Sequence, residues 1–151
     1  MIIDDFKEIE RFTYSKNWLP DWEIVVQIYE KFPDSYSVLT PFAYTYLEEL
    51  IRSTTSQYGT VAVDENGERI KKRCVNESLI KLAISENRDT PEYVKLLNSI
   101  KKKYYKPSSE FDKGDNRHST LHGYMHPDSW TKESFEELIH DIATLSKYSR
   151  F

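Results

Sequence analysis

The amino-acid sequence predicts an all-α protein: an up-and-down bundle of five to six helices in one domain over residues 1–151, with a small hairpin or loop inserted near residues 59–72. Three observations carry this. Apolar residues recur at helical spacing in at least four segments. Glycine and proline are scarce, at four and six residues, which excludes both a disordered chain and a Gly-rich phosphate-cradling domain. Eleven tyrosines, seven phenylalanines and three tryptophans supply bulky side chains, and 151 residues are enough to bury them in a core.

Taken in order, Trp22, Val25, Val26, Tyr29 and Phe32 fall on one helical face with Ile24 and Ile28 beside it, between Pro20 and Pro33. The run Ile24-Val25-Val26 also fits a strand. Thr40-Pro41 marks the next start, a capping side chain before a proline preset for the first helical position, and Phe42, Tyr46, Leu47, Leu50 and Ile51 carry that helix to about Gln57. From Gly59 to Lys72 the period changes. Asn66-Gly67 between two short runs predicts a tight hairpin turn, since both residues accept positive φ, and the expected role of this stretch is connection.

Asn76 reads as the cap of a helix holding Leu79, Ile80, Leu82, Ala83 and Ile84, and Asn87-Arg88-Asp89 as the following turn. Thr90-Pro91 then opens a helix with Tyr93, Val94, Leu96, Leu97, Ile100 and Tyr104. Pro107-Ser108-Ser109 begins a loop. Asp115-Asn116 caps a short helix through Arg117 to His122, which Gly123 and Pro127 close. The last helix starts near Thr131 and buries Phe135, Leu138, Ile139, Ile142, Ala143 and Leu145. The expected core includes Leu47, Leu50, Ile80, Leu97, Leu138 and Ile142.

The formal net charge of −4 belongs to the front half, where residues 1–75 hold nine Lys/Arg against thirteen Asp/Glu; residues 76–151 balance at twelve each. Bulk charge therefore disfavours nucleic-acid binding. Between Lys95 and His118, however, seven cations face only Glu110, Asp112 and Asp115. Such an excess can hold phosphates, with Lys101, Lys102, Lys103, Lys106 and Lys113 as the candidate RNA-binding residues. The alternative for Lys101–Lys103 is a solvated helix end, favourable beside the negative end of the helix dipole.

A single cysteine, Cys74, excludes an intramolecular disulfide and a Cys-rich zinc site. The opening residues, MIIDDFKEIERF, carry acids where a signal peptide carries Lys or Arg, and no apolar run approaches the ~20 residues of a membrane span. A soluble, unexported, cytoplasmic protein without membrane contact is expected.

Three of the four histidines fall within Asn116-Arg117-His118-Ser119-Thr120-Leu121-His122-Gly123-Tyr124-Met125-His126. An Arg, four intervening residues and a His on a late helix of a small helical chain resemble the signature of the HEPN superfamily. The longer run, Asn-Arg-His-Ser-Thr-Leu-His-Gly followed by Thr131-Lys132-Glu133-Ser134 and an amphipathic helix, is similar to a stretch seen in prokaryotic and phage-associated HEPN-like proteins. The resemblance covers roughly the last quarter of the chain, and the 59–72 insertion has no counterpart in the minimal family core. It implies a metal-independent RNase, with no cofactor, working as a homodimer in a toxin–antitoxin or phage-defence setting. Arg117 and His122 would be the catalytic pair, with Asn116 and His118 supporting them. Tyr124 matches the Arg-x4-His-x-Tyr variant, in which a partner nucleotidyltransferase adenylylates the Tyr. An antitoxin or such a transferase is thus the implied protein partner, and RNA the implied substrate.

The residue types suit that chemistry. A neutral imidazole can take the proton of a ribose 2′-hydroxyl, and a guanidinium can bind two oxygens of a phosphorane-like transition state. On an ideal helix the two side chains point about 140° apart, so a second subunit or the length of Arg must bring them to one phosphate. Other readings stand beside this one. Arg117 neutralises Asp115 or an acid on another helix while His122 is a core imidazole; Asn116 is simply a helix cap; His118, His122 and His126 form a zinc-binding row, although Gly123 and Pro127 interrupt it. A non-catalytic HEPN-like module that binds a nucleotide, RNA or protein, and a ligand-free helical interaction subunit, are the alternative functions.

Overall fold

A computed structural model describes residues 1–14, 17–59, 64–68, 73–105 and 130–151. Among these residues the chain forms six helices and no strand: α1 (Ile2–Phe12), α2 (Trp18–Lys31), α3 (Tyr36–Ser53), α4 (Asn76–Glu86), α5 (Pro91–Tyr104) and α6 (Lys132–Ser146). The expected helical bundle is therefore present, but its membership differs from the one anticipated. The first helix, α1, is not among the expected ones; its Phe6 and Ile9 are buried at helical spacing. The short helix expected over Arg117–His122 lies outside the described residues.

The last helix organises the packing, with α1, α3 and α5 all lying against it. Its buried residues, Phe135, Leu138, Ile139, Ile142, Ala143, Leu145 and Ser146, cover an arc of about 160° on an ideal helix. Both edges of that arc are pinned by polar side chains. On one edge the Tyr29 hydroxyl donates to Glu136 at 2.7 Å, and His140 Nδ1 lies 3.1 Å from Asp5 Oδ1. On the other edge, Lys103 and Tyr104 of α5 bond to Asp141. Aromatic rings complete the front of the core: Trp22 meets Tyr46 at 4.9 Å and Phe42 at 5.2 Å, and Tyr29 meets Phe135 at 5.5 Å. All six expected core residues, Leu47, Leu50, Ile80, Leu97, Leu138 and Ile142, are buried.

Helix boundaries depart from expectation for identifiable reasons. The Ile24–Val26 run is helical, and α2 starts at Trp18 with Pro20 as its third residue. There its missing N–H is one the first turn leaves unpaired in any case. The third helix begins at Tyr36 rather than Thr40, so Pro41 sits inside it and Thr40 does not cap. The Thr40 hydroxyl instead donates to the Tyr36 carbonyl at 2.7 Å. The same helix stops at Ser53, short of Gln57, because the hydroxyls of Ser53, Thr54 and Thr55 donate to the carbonyls of Leu50, Ile51 and Arg52 and take over its end. At the last helix, Thr131 does cap, accepting from Ser134 N at 3.1 Å.

Within the inserted stretch, residues 64–68 form a tight turn about Asn66-Gly67 closed by Asp64 N donating to Glu68 O at 2.7 Å, and the runs on either side of it, 60–63 and 69–72, lie outside the described residues. Gly67 N donates to Asp64 O at 3.0 Å, and Asp64 Oδ1 accepts from the N–H groups of Asn66 and Glu68. Only Gly67, at φ 80°, takes the left-handed conformation there; Asn66 does not.

Asn76 is the first residue of α4 and not its cap, and its φ of 54° is left-handed. Asn tolerates that region better than other residues with a Cβ. Asn76→Gly should therefore leave stability unchanged or slightly raised, whereas Asn76→Val should lower the unfolding free energy by about 1–2 kcal/mol, as read by urea denaturation.

Candidate functional site

The residues expected to carry chemistry, Arg117, His122, Asn116, His118 and Tyr124, lie outside the described residues, as do Lys106 and Lys113. So does the His118–His122–His126 row. The structure describes what flanks them: the last turn of α5 on one side, Trp130, Thr131 and the start of α6 on the other.

The three lysines that end α5 have three different environments. Lys103 Nζ donates to Glu137 at 2.8 Å and to Asp141 at 3.0 Å, both on α6. Burial alone would lower its pKa, but the two carboxylates outweigh that and raise it. Lys101 stands 3.9 Å from Glu77, a carboxylate that Lys81 also approaches at 3.1 Å. Lys102 is exposed, and no carboxylate lies within ion-pair distance of it among the described residues. Of the trio, Lys102 alone presents an ammonium to solvent without an acidic neighbour among the described residues; Lys103 holds two helices together.

Beside Lys103, the Tyr104 hydroxyl donates to the same Asp141 oxygen at 2.5 Å, and the Tyr104 ring meets Tyr44 edge-on at 5.7 Å. Burial, and then the bond to Asp141, raise the Tyr104 phenol far above its ordinary value. His140, the one histidine among the described residues, is spent on Asp5. No group of three or more His, Cys, Asp or Glu able to hold a metal occurs among the described residues.

Two polar clusters were not anticipated. Arg52, buried near the end of α3, reaches Glu48 at 3.3 Å and Glu49 at 3.4 Å and donates to the Cys74 carbonyl at 3.0 Å. The Gln57 side chain accepts from Cys74 N at 2.7 Å and donates to Cys74 Sγ at 3.4 Å. Together they clamp the base of the 59–72 insertion, where the chain returns to α4. The second cluster is centred on Asn87, which donates to the carbonyls of Thr54 and Ala83 and accepts from Arg150 at 3.2 Å. Tyr93 joins it through Thr54 Oγ1 at 2.9 Å. Apart from Arg52 Nε, which has no hydrogen-bond partner, the polar side-chain groups named in both clusters bond within the chain, which marks them as structural. A Glu-Glu-x-x-Arg run on an apolar helix was the available signal for the first; nothing local announced the second.

No family model, no curated protein and no solved structure matches this chain.

The Lys trio yields a test that separates packing from binding. Lys103→Ala should lower thermal stability by about 0.5–1 kcal/mol, the scale of a partly exposed ion pair, while Lys102→Ala should leave it unchanged. Differential scanning calorimetry of the two variants checks this.

A second expectation concerns alkaline pH. Burial pushes Tyr46 and Tyr93 up to about 12, and Tyr104 is raised further still. Unfolded phenols titrate near ~10. The fold therefore favours the protonated forms, and their contribution is complete below pH ~10 and lost as pH climbs toward ~12. Urea midpoints should fall across that window, and Tyr104→Phe should be less stable at neutral pH but show a shallower alkaline decline.

Proposed function

We propose that the chain is a metal-independent endoribonuclease of the HEPN type, acting as a homodimer in a toxin–antitoxin or phage-defence setting. The observation supporting this is placement. Arg117 and His122 occur in the stretch between α5 and α6, before the last of six helices in a chain of 151 residues whose described residues form no strand, which suits the late position of the motif in the resemblance. That last helix is also the one against which α1, α3 and α5 pack, so in sequence the motif adjoins a well-anchored element of the fold.

In the proposed reaction His122 removes the proton of a ribose 2′-hydroxyl, and the freed oxygen attacks the adjacent phosphorus. Arg117 holds two oxygens of the charged phosphorane. The 5′-oxygen leaves and takes up a proton, giving a 2′,3′-cyclic phosphate and a 5′-hydroxyl end. Asn116 and His118 steady the pair, and Tyr124 is the acceptor for a partner nucleotidyltransferase; an antitoxin is the other class of partner. Lys102, together with Lys106 and Lys113, attracts the RNA backbone.

Single-stranded or loop RNA incubated with the purified protein in excess EDTA should be cut, and a 2′-deoxy residue at the cut site should block cleavage. Arg117→Ala or His122→Ala should each lower the rate at least ~10²-fold in a chain that still folds. Absence of cleavage by a folded dimer over varied RNAs would leave the non-catalytic binding module in its place, and activity abolished by chelation would favour the histidine row.

A further inference from the structure

Past α6 the chain crosses one end of the bundle, and four successive residues reach four other helices. The Tyr148 ring stacks on Tyr93, in the first turn of α5, with 4.6 Å between centroids. Ser149 Oγ donates to the carbonyl of Phe12, the last residue of α1, at 3.1 Å. Arg150 N donates to Oγ of Ser53, the last residue of α3, at 3.1 Å, and its guanidinium donates to Oδ1 of Asn87, directly after α4, at 3.2 Å. The Phe151 ring lies 5.8 Å from Tyr46 and 5.9 Å from Tyr58.

The two sides of this contact differ. Tyr46, Ser53, Asn87 and Tyr93 are buried, whereas Tyr148, Ser149 and Phe151 are half-buried and Arg150 is exposed. Residues 148–151 form no helix or strand, and they join α6 through the N–H groups of Tyr148 and Ser149, which donate to the carbonyls of Leu145 and Ser146. Their ties to the other helices are single hydrogen bonds and ring pairs, each weak by itself.

What they hold is the start of α5. Asn87 gives its side-chain N–H groups to the carbonyls of Thr54 and Ala83, which leaves its buried Oδ1 to Arg150. Tyr93 has Thr54 on its hydroxyl and Tyr148 on its ring face. The fifth helix touches α6 far less than α1 or α3 does, and the bonds that tie it there, from Lys103 and Tyr104, lie at its opposite end. The turn at 87–93 is thus fixed from one side by Thr54 and from the other by residues 148 and 150.

We propose that residues 148–151 are a releasable strap: they lift from the bundle without unfolding it, and their seating fixes the turn at 87–93 from which α5 starts. A short segment held by separate weak ties opens at a smaller free energy than helices packed along their length, so the lifted state is reached far more often than the unfolded one. Lifting removes the Arg150 donor from Asn87 Oδ1 and the Tyr148 ring from Tyr93, and with them the outer constraint on the turn. Meanwhile α1, α3 and α6 stay packed through their apolar faces.

Native-state hydrogen exchange of the full chain, followed by NMR at low urea, reads this amide by amide. The Arg150 amide and those of Thr90 and Val94, which bond to the Asn87 and Thr90 carbonyls, should be protected at least ~100-fold less than the Ile142 amide of α6, and urea should hardly change their exchange. R150A should speed exchange at Thr90 and Val94 by about 5–10-fold, the scale of one lost hydrogen bond to a charged group. Y148A should do the same from the Tyr93 side, and in both variants the circular-dichroism spectrum should be unchanged. Exchange of Arg150, Thr90 and Val94 at the same free energy and urea slope as Ile142 would overturn the proposal, because the segment would then be ordinary packing. So would turn amides that R150A and Y148A leave unchanged, because the turn would then open without the strap.

Discussion

One helix sets the terms for the rest. Residues Lys132–Ser146 bury an arc too wide for a single partner, and only a ring of neighbours can cover it. Three helices lie against it: α1, α3 and α5. What fixes their rotation is the edge of the arc, where Glu136 and His140 engage α2 and α1, and Glu137 and Asp141 engage α5. Apolar burial is non-directional and would tolerate several rotations; hydrogen bonds with defined geometry do not. The tyrosines are suited to this, since each places a large ring in the core and sends one hydroxyl to a particular acceptor. Tyr29, Tyr46 and Tyr104 do this to Glu136, Thr13 and Asp141.

The same logic explains how a bundle accommodates the stretch between α3 and α4. A long excursion costs little in loop-closure entropy, but its two ends must be held. Arg52 and Gln57 hold them by bonding to the backbone and thiol of Cys74. The buried Arg52 is answered by two carboxylates from its own helix, so the charge is neutralised by residues that are adjacent however the insertion is arranged.

Much of this fold could be read from spacing alone, and the exceptions share a cause. The buried residues of α6 and the Thr90-Pro91 start of α5 follow from local periodicity and cap chemistry, which need no knowledge of the rest of the chain. Pro41 misled because a proline six residues into a helix and one at its start look alike in sequence; the hydroxyl of Thr40 turned inward rather than outward. The first helix is legible only in the spacing of Ile2, Phe6 and Ile9, a short apolar pattern set among charged residues. The Asn87 cluster depends on groups 33 and 63 residues away, and no local pattern contains that information. The motif of the candidate site was visible only as spacing. Its lysines were visible only as a count of charges.

That last distinction bears on the chemistry. Seven cations between Lys95 and His118 suggest a strong pull on a polyanion, but a cation counts toward that pull only if no carboxylate already answers it. Lys103 is answered twice over, and Lys101 shares Glu77 with Lys81. Lys95 and Lys102 are what the described part of the stretch exposes. Within the described residues those two lysines alone add to attraction over distance, and on the proposed function Lys106 and Lys113 join Lys102 in it. On the proposed mechanism the specific contacts must then come from the segment bearing Arg117, where a bidentate guanidinium acts at short range on a single phosphate. If the proposed mechanism holds, substrate choice would rest on the local shape presented to Arg117 as well as on the charge of the strand, and splayed phosphates of loops and single strands would meet that guanidinium more readily than those of a duplex.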